Sequence, residues 1–392
     1  MMREPDFVDE CYADKDLSLL KKLTIVIPTY NRNYYLSRCL WYHAHFPFGE
    51  IIVADSSPEE KKVVNRETVA KVREMFGANV RYLEYEPETE KYGGDIYRKW
   101  GDAVQHVETE YSLSCADKEF LIPTTVAESI RFLIDHPDYS IADGRYYLIE
   151  SKALIYPWQG NLSLTSDDPI KRLQEAFASN TPFGTQFAVQ RVSIHKKIYN
   201  NLERFDLYDL RFGETEVELM PIINGKTHRN CDIPMSCRDC IHEYHRGLFN
   251  IKIKGRKSES SFSRYNIVKD YPELYRLEMQ KRLQLCIENN FSKEQTGEIS
   301  EYTKKIIIQR YGDGVMRNSI LNRFKLLRFC WNSLFPYRLK LLLSKHLGLG
   351  MVQQPLKKKY YPDEIRLILR IILHTDKFWE SDSIISISLE KI

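Results

Sequence analysis

The chain has 392 residues, of which 43% are hydrophobic and 28% are charged, with 57 Lys and Arg against 54 Asp and Glu. This length predicts one large domain with a smaller appendage, and the composition is that of a globular chain able to bury a core. A formal net charge of +3 is too small for nucleic-acid binding by the whole chain. The composition also excludes disorder, collagen-like repeats and a multi-span membrane protein.

The amino terminus carries six acidic residues between positions 1 and 20 and has no apolar core. It therefore matches neither a secretory signal nor a transit peptide. The longest apolar stretches, such as 367–373, are interrupted by charge, and none approaches the roughly 20 apolar residues of a membrane-spanning helix. We expect a cytoplasmic chain in which residues 1–20 form an acidic extension.

Strands and helices alternate in the prediction for the first third of the chain. The run L-T-I-V-I-P at 23–28 is apolar and β-branched, as in a strand buried on both faces. Asn31 can cap the helix that follows. Further strands are predicted at 51–54, 80–85 and 111–116, with helices at 59–76 and 95–107. This βαβαβαβ order predicts an open α/β sheet with right-handed crossovers.

The rest of the chain is predicted to complete this domain and then to form a helical one. We expect a helix from Pro123 to about residue 135, two strands over 139–156, helices at 169–180 and 193–203, and a strand near 185–189. The pattern beyond residue 271 is mostly helical. We therefore divide the chain into an α/β domain over 21–250 and a mainly helical domain over 251–392.

Polar residues stand at the ends of three predicted strands. Thr29 and Tyr30 follow the first strand, Asp55 follows the second and Asp117 follows the strand at 111–116. Ligands of open α/β sheets bind beyond the carboxyl ends of the strands. These positions, far apart in the chain, should therefore line one crevice.

Two of the acids in this region lie two residues apart, at Asp117 and Glu119. If the strand geometry continued through them, both side chains would face the same way. Two carboxylates at a strand end suit Mg²⁺ or Mn²⁺, which can hold a diphosphate. A solvated turn is the alternative, because D-x-E is a common sequence.

Three strand-end motifs occur in a fixed order, namely I-V-I-P-T-Y-N-R at 25–32, I-I-V-A-D-S-S at 51–57 and A-D-K-E-F at 116–120. Together they resemble the family 2-like glycosyltransferases with a GT-A fold, over roughly residues 22–245. The segment L-I-D-H-P-D at 133–138 is similar to the helix end that follows the acidic motif in many members. The resemblance implies a GT-A-like (Rossmann-like) mixed sheet, mostly parallel and flanked by helices, and a nucleotide-sugar donor.

The resemblance also implies roles for individual residues. Asp55 would accept a hydrogen bond from the nucleobase, Asp117 would lie near the ribose and the metal, and Glu119 would be the direct ligand of Mn²⁺ or Mg²⁺. Lys118 departs from the more acidic run of the family and weakens the local negative field. The residues expected to bind the nucleotide sugar are Pro28, Thr29, Tyr30, Arg32, Asp55, Lys99 and Asp117.

A second acidic motif, F-G-E-T-E-V-E-L, lies at 212–219. In the related family, the general base lies about eleven residues before a helix-ending glycine. Counting back from Gly225 selects Glu214, with Glu216 as the second choice. An inverting transfer needs a carboxylate that takes the acceptor proton while the diphosphate leaves from the opposite face. The alternative is an acidic first helical turn favoured by the helix dipole.

Cysteines and histidines cluster at Cys231, Cys237, Cys240, His242 and His245. A C-x2-C pair with nearby histidines could bind zinc, but the second half of a four-ligand site is missing at a familiar spacing. In the related family, a histidine after the last core strand completes the metal or diphosphate site, which makes His242 and His245 candidate ligands. Solvated surface histidines are the third interpretation.

A basic segment lies at 317–359, where ten Lys or Arg residues are interleaved with aromatic and aliphatic ones and no acid occurs. Such a segment suits an anionic membrane surface, at about 1 kcal/mol per basic residue. Nucleic-acid binding and a helical bundle with a solvated basic face are the alternatives. We expect peripheral contact with the inner face of the membrane and no nucleic-acid partner.

These features predict an inverting glycosyltransferase that moves a sugar from a nucleotide sugar to a hydroxyl of a glycan or lipid-linked acceptor, in the synthesis of a surface polysaccharide or glycoconjugate. A nucleotidyltransferase would need a glycine-rich phosphate loop after the first strand, and P-T-Y-N offers none. A dehydrogenase is excluded because no G-x-G-x-x-G follows any strand. The remaining alternative is a non-catalytic nucleotide-sugar-binding or membrane-associated protein that retains the fold.

Overall fold

The computed structural model describes residues 5–87, 94–150, 154–157, 163–178, 185–204, 210–240, 292–294, 296–297 and 361–373. The chain divides into two units, one formed by Met1–Ile251 together with Leu356–Ile392 and the other by Lys252–Pro355. Almost all of the described residues belong to the first unit, which holds a mixed sheet flanked by helices.

Nine strands lie within the described part of this unit. They are β1 (Leu23–Thr29), β2 (Glu50–Asp55), β3 (Val80–Glu84), β4 (Tyr111–Ser114), β5 (Glu119–Leu121), β6 (Tyr139–Glu150), β7 (Leu154–Pro157), β8 (Val189–Arg191) and β9 (Lys226–Asp239). The described helices are α1 (Pro5–Tyr12), α2 (Asn33–His43), α3 (Glu59–Phe76), α4 (Gly94–Gln105), α5 (Pro123–Asp135), α6 (Pro169–Ala178), α7 (Val192–Arg204), α8 (Leu210–Asn224) and α9 (Asp363–Leu373).

The sheet has the order β3-β2-β1-β4-β8-β6-β9-β5, and β7 pairs with β6. Strand β1 pairs in parallel with both of its neighbours, so that Ile25 lies opposite Ile51 of β2 and opposite Leu113 of β4. The chain builds β2 and β3 on one side of β1 and then crosses to β4 on the other side. The topological switch point, where open α/β sheets bind ligands, therefore lies between β1 and β4.

Antiparallel pairings are concentrated in the second half of the sheet. Strand β8 runs antiparallel to β4 and β6, β7 to β6, and β5 to β9, whereas β6 and β9 are parallel. The register of β6 and β9 shifts between Gly144 and Arg145. The expected fold class, a mixed α/β sheet flanked by helices, is confirmed.

Two predicted strands differ in the structure. The strand expected over 111–116 ends at Ser114, and a turn at Asp117 and Lys118 precedes β5. The chain leaves the strand here because the residues from Glu119 onward pair with β9 and not with β1. The strand expected near 185–189 is a 3₁₀ turn over Thr185–Phe187, followed by β8.

The core lies around the parallel strands. Every residue of β1 and β2 is buried, so both faces of this part of the sheet are covered, as the continuous apolar runs predicted. Each buried Val, Leu or Ile side chain contributes about 1.5–3 kcal/mol. Helix α3 ends where Gly77 adopts φ 62° and donates its N–H to the Arg73 carbonyl, a left-handed cap that glycine accommodates without strain.

Both ends of the described chain pack onto this unit. In α1, Val8 and Tyr12 are buried, and the Tyr12 ring meets Phe46 edge-on at 4.9 Å. The acidic extension predicted over 1–20 thus contributes to the core. Helix α9 contacts α1 and β9, and its four isoleucines are buried. This helix belongs to the first unit, which includes Leu356–Ile392. The domain boundaries predicted at 21–250 and 251–392 stay a prediction.

Membrane contact was predicted from a segment that the structure does not describe, 317–359. Within the ranges that are described, no helix is both long enough and apolar enough to cross a membrane.

Candidate functional site

The ends of β1, β2 and β4 meet at the switch point. Thr29, the last residue of β1, donates its hydroxyl to Asp117 Oδ2 at 3.0 Å, across from the turn that follows β4. Lys99 of α4 donates its ammonium to the Thr29 carbonyl at 2.9 Å and to Ser56 Oγ at 2.5 Å. These contacts bring Thr29, Lys99 and Asp117 together, and they connect the three strand ends into one wall.

The turn after β1 projects Tyr30 outward. Asn31 adopts φ 53°, a left-handed conformation that Asn tolerates better than most residues. Its N–H donates to Ser57 Oγ at 2.8 Å, which anchors the turn to the end of β2. Tyr30 remains 38% exposed, so its ring is accessible at the edge of the crevice.

Asp55, the expected nucleobase acceptor, is fully buried and surrounded by donors. Its Oδ1 accepts the Ser57 N–H at 2.7 Å, and its Oδ2 accepts from Asn65 Nδ2 at 2.7 Å and from the Tyr82 hydroxyl at 2.5 Å. The carboxylate therefore holds β2, α3 and β3 together. Burial and the hydrogen bond to Asp55 both raise the pKa of Tyr82. Base recognition by Asp55 stays a prediction.

Asp117 lies in the turn after β4, where it contacts Thr29 and Arg32. It is 2% exposed, and its Oδ1 lies 3.1 Å from Arg32 Nη1 but accepts no well-oriented hydrogen bond within the described residues. Burial raises the pKa of Asp117, and the positive charge of Arg32 opposes this shift. One oxygen of this carboxylate thus has hydrogen-bonding capacity that the described residues do not use.

The strand geometry on which the expected convergence of Asp117 and Glu119 depended ends at Ser114, and the two carboxylates have different partners. Glu119 lies opposite Arg238 in the antiparallel pairing of β5 and β9. Its Oε1 accepts from Arg238 Nε at 2.7 Å and also from Arg238 Nη2, and its Oε2 accepts the Ala116 N–H at 3.1 Å. Both of its oxygens are therefore engaged by donors.

A divalent cation does not fit this donor set. Mg²⁺ and Mn²⁺ need several oxygen ligands, whereas Asp117 supplies one oxygen beside a guanidinium and Glu119 supplies none. Within the described ranges, no group of three or more His, Cys, Asp or Glu side chains could hold a metal ion. The candidate ligands His242 and His245 lie outside those ranges.

Cations outnumber the carboxylates around Asp117. Arg32 and Arg238 contact the two acids, and the charges of Lys118 and Lys99 act on Asp117 together with that of Arg32. Burial, together with the positive charges of Arg238 and Arg32, lowers the pKa of Lys118 to about 8. The wall therefore carries an excess of positive charge, which suits an anionic ligand.

A buried ion pair that was not predicted from the sequence lies next to the site. Arg38 Nη2 of α2 lies 2.7 Å from Asp239 Oδ2 at the end of β9, and both side chains are at most 1% exposed. The Arg38 guanidinium also lies 4.4 Å from the Tyr34 ring centre. The Asp239 N–H donates to the Lys118 carbonyl at 3.0 Å. This pair positions the end of β9 next to the turn at Lys118.

Glu214 and Glu216 both lie on α8, and their side chains are outside what the structure describes. Helix α8 begins at Leu210, so that no acid falls in its first turn. The alternative interpretation as an acidic first turn is therefore wrong. Gly225 follows the helix, and a Cβ there would lie 2.9 Å from the Ser140 backbone nitrogen. The role of Glu214 as base stays a prediction.

The predicted cysteine cluster lies mainly in β9. Cys231 and Cys237 are buried in that strand and Cys240 is half-buried, all as free thiols. Burial raises the pKa of Cys237, which opposes the thiolate form that zinc requires. Together with the lack of a metal-holding group among the described residues, this burial does not favour a zinc site.

No protein-family model and no curated protein matches the sequence. Among solved structures, S. aureus TarS 1–349 is similar at 15% identity and a TM-score of 0.42, over 74% of this chain and 89% of that chain. Its complex with UDP-GlcNAc gives the same values. The longer S. aureus TarS structure gives 16% identity and a TM-score of 0.37, over 74% of this chain and 54% of that chain. At this level of similarity, the ligand of this chain has to be inferred from its own residues.

Proposed function

We propose that this protein is a nucleotide-sugar-dependent glycosyltransferase. The observation that carries the proposal is the wall at the switch point, where Thr29, Lys99 and Asp117 are joined by hydrogen bonds beyond the carboxyl ends of β1, β2 and β4. Ligands of open α/β sheets bind at this place. The exposed Tyr30 ring suits a base, the Asp117 carboxylate beside Arg32 suits a ribose, and the surrounding cations suit a diphosphate.

The transfer would be an inverting displacement. The acceptor hydroxyl loses its proton to a carboxylate, its oxygen attacks the anomeric carbon, and the bond from that carbon to the diphosphate breaks, so that the diphosphate leaves with the electron pair. Glu214 is the proposed base, because it lies on α8 at the spacing from Gly225 that the family resemblance implies. Glu216, on the same helix, is the second candidate. A positioned base of this kind accelerates a reaction by about 10²–10⁴-fold.

The proposed acceptor is a hydroxyl of a glycan or of a lipid-linked sugar, in the synthesis of a surface polysaccharide or glycoconjugate. A lipid-linked acceptor would explain the basic and aromatic composition of 317–359, because such a segment binds anionic membrane surfaces. The reaction would then take place at the cytoplasmic face of the membrane.

A second candidate function is a protein that binds nucleotide sugars without turnover. The specific observation in its favour is that Arg238 engages the carboxylate of Glu119, the acid expected to serve the reaction. Turnover separates the two functions: a binding protein would bind the nucleotide sugar and release no nucleoside diphosphate.

A ligand screen tests the proposal. Thermal melts with UDP, GDP, CDP, ADP and dTDP should show stabilisation by at least one of them, because a ligand that binds only the folded state raises its stability by mass action. Asp117→Asn should reduce this shift, whereas Lys171→Gln, an exposed change on α6, should not. The corresponding nucleotide sugars should then release the nucleoside diphosphate when an acceptor extract is added. No stabilisation by any of the five would contradict both candidate functions.

A further inference from the structure

The acids of the D-x-E motif do not have the arrangement of a metal site. Glu119 accepts hydrogen bonds on both oxygens, from Arg238 and from the Ala116 N–H. Asp117 accepts the Thr29 hydroxyl on Oδ2 and has the Arg32 guanidinium 3.1 Å from Oδ1. Positive charge is therefore already present where a divalent cation would have to bind, and a cation would be repelled by it.

The same positive charge is placed to act on a diphosphate. Arg32 follows β1, Lys118 lies in the turn after β4, and Arg238 lies near the end of β9. Guanidinium groups bind phosphate oxygens through short, charge-assisted hydrogen bonds with fixed geometry. Developing charge on a departing diphosphate can be stabilised by such groups as well as by a metal ion.

We infer that Arg32, Lys118 and Arg238 bind the diphosphate of the nucleotide sugar in place of a divalent cation, so that donor binding and departure of the diphosphate are independent of metal. The inference rests on the proposed function, since it concerns the same crevice. It differs from the metal-dependent site expected from the sequence, and it assigns a role to Lys118, the residue by which the motif departs from the family.

The first test measures binding of the five nucleoside diphosphates and the matching monophosphates by calorimetry, in excess EDTA and in Mn²⁺. The best diphosphate should bind in EDTA with a Kd within about threefold of that in Mn²⁺, and about tenfold or more tighter than its monophosphate. Binding only in the presence of Mn²⁺ would overturn the inference and leave the proposed function standing. If no diphosphate binds under either condition, both fail.

The second test uses substitutions that separate binding by cations of the protein from binding by a metal ion. Lys118→Gln should weaken diphosphate binding in EDTA by about tenfold and change monophosphate binding little, while Lys171→Gln changes neither. Arg238→Gln should weaken binding in EDTA and release the Glu119 carboxylate, so that Mn²⁺ now strengthens binding. A purely structural role of Arg238 would lower the melting temperature without creating a response to Mn²⁺.

Arg238→Gln is informative only if the variant folds, so a folded comparison is needed. Removing Arg238 leaves a buried carboxylate without its partner, so the Arg238→Gln/Glu119→Gln double variant, which removes both charges, serves as the folded comparison. It should weaken binding in EDTA without gaining a response to Mn²⁺. If neither Arg238 variant folds, Lys118→Gln alone is decisive, and an unchanged diphosphate Kd in that variant overturns the inference.

Discussion

The buried pair of Arg38 and Asp239 gives a strong prediction for stability. Both side chains are at most 1% exposed, and Arg38 Nη2 lies 2.7 Å from Asp239 Oδ2. Arg38 Nε and Nη1 have no hydrogen-bond acceptor in the described part of the chain, so the guanidinium depends on Asp239 and on the ring of Tyr34. Replacing Asp239 by Ala therefore leaves a buried positive charge without its counter-ion.

The expected cost follows from this geometry. Removing one partner of a buried ion pair typically destabilises a protein by about 3–5 kcal/mol. For a unit of this size, each kcal/mol corresponds to about 2–4 °C in melting temperature, so Asp239→Ala should lower Tm by roughly 6–20 °C. The Arg38→Met/Asp239→Leu double variant removes both charges and should recover at least half of the lost stability, because buried pairs can often be exchanged for apolar residues.

Urea denaturation followed by tryptophan fluorescence measures these free energies of unfolding, and a double-mutant cycle separates the pair from the single losses. Asp239→Asn is the matched control that keeps side-chain volume and removes the charge. The reasoning would be refuted if Asp239→Ala were as stable as the unsubstituted protein. It would also be refuted if the double variant were as unstable as the two single variants combined.

Three further predictions follow from other parts of the site and core. Burial lowers the pKa of His195 to about 3, so the folded protein keeps this side chain neutral while the unfolded chain takes up a proton below about pH 6.5. The free energy of unfolding should therefore fall by about 1.4 kcal/mol per pH unit as the pH drops below that value. In urea denaturation, His195→Gln should show a shallower fall of this free energy, and an unchanged slope would contradict the prediction. Lys99→Met removes the ammonium that donates to the buried Thr29 carbonyl and to Ser56 Oγ, and it leaves that carbonyl with the longer bond from the Ser56 N–H at 3.3 Å. It should cost about 1–3 kcal/mol of folding free energy and weaken nucleotide binding, as measured by thermal melts and calorimetry against Lys171→Met. Equal values in both variants would contradict this prediction. Glu214→Gln should lower kcat by about 10²–10⁴-fold with an unchanged nucleotide Kd. A near-normal kcat in steady-state assays would rule out Glu214 as the base.

The parallel part of the sheet could be predicted because its signal is local. The runs at 23–28 and 51–54 are continuous and apolar, and the structure buries every residue of β1 and β2. The strand ends follow from the same pattern, so the meeting of Thr29 and Asp117 could be anticipated from the rule for open α/β sheets. Lys99 lies on α4, and its place near the donor was implied by the family resemblance and not by this rule.

The electrostatics of the site could not be read in this way, because they depend on long-range partners. Glu119 pairs with Arg238, 119 residues later in the chain, and Asp55 takes donors from Asn65 and Tyr82 on two other elements. The turn at Asp117 contains no Gly or Pro that would have marked the end of the strand. A carboxylate in a motif is thus a ligand only if the register of the distant strands leaves its oxygens open.

Strand β9 connects the stability of the fold with the charge of the site. Successive side chains of a strand point to opposite faces, and here Arg238 contacts Glu119 whereas Asp239 contacts Arg38 of α2. The Asp239 N–H also donates to the Lys118 carbonyl. Because one peptide segment positions two of the three proposed diphosphate-binding cations, a substitution that disturbs the buried pair should weaken diphosphate binding more than monophosphate binding. We therefore expect the ion pair of Arg38 and Asp239 to hold Lys118 and Arg238 in place at the crevice.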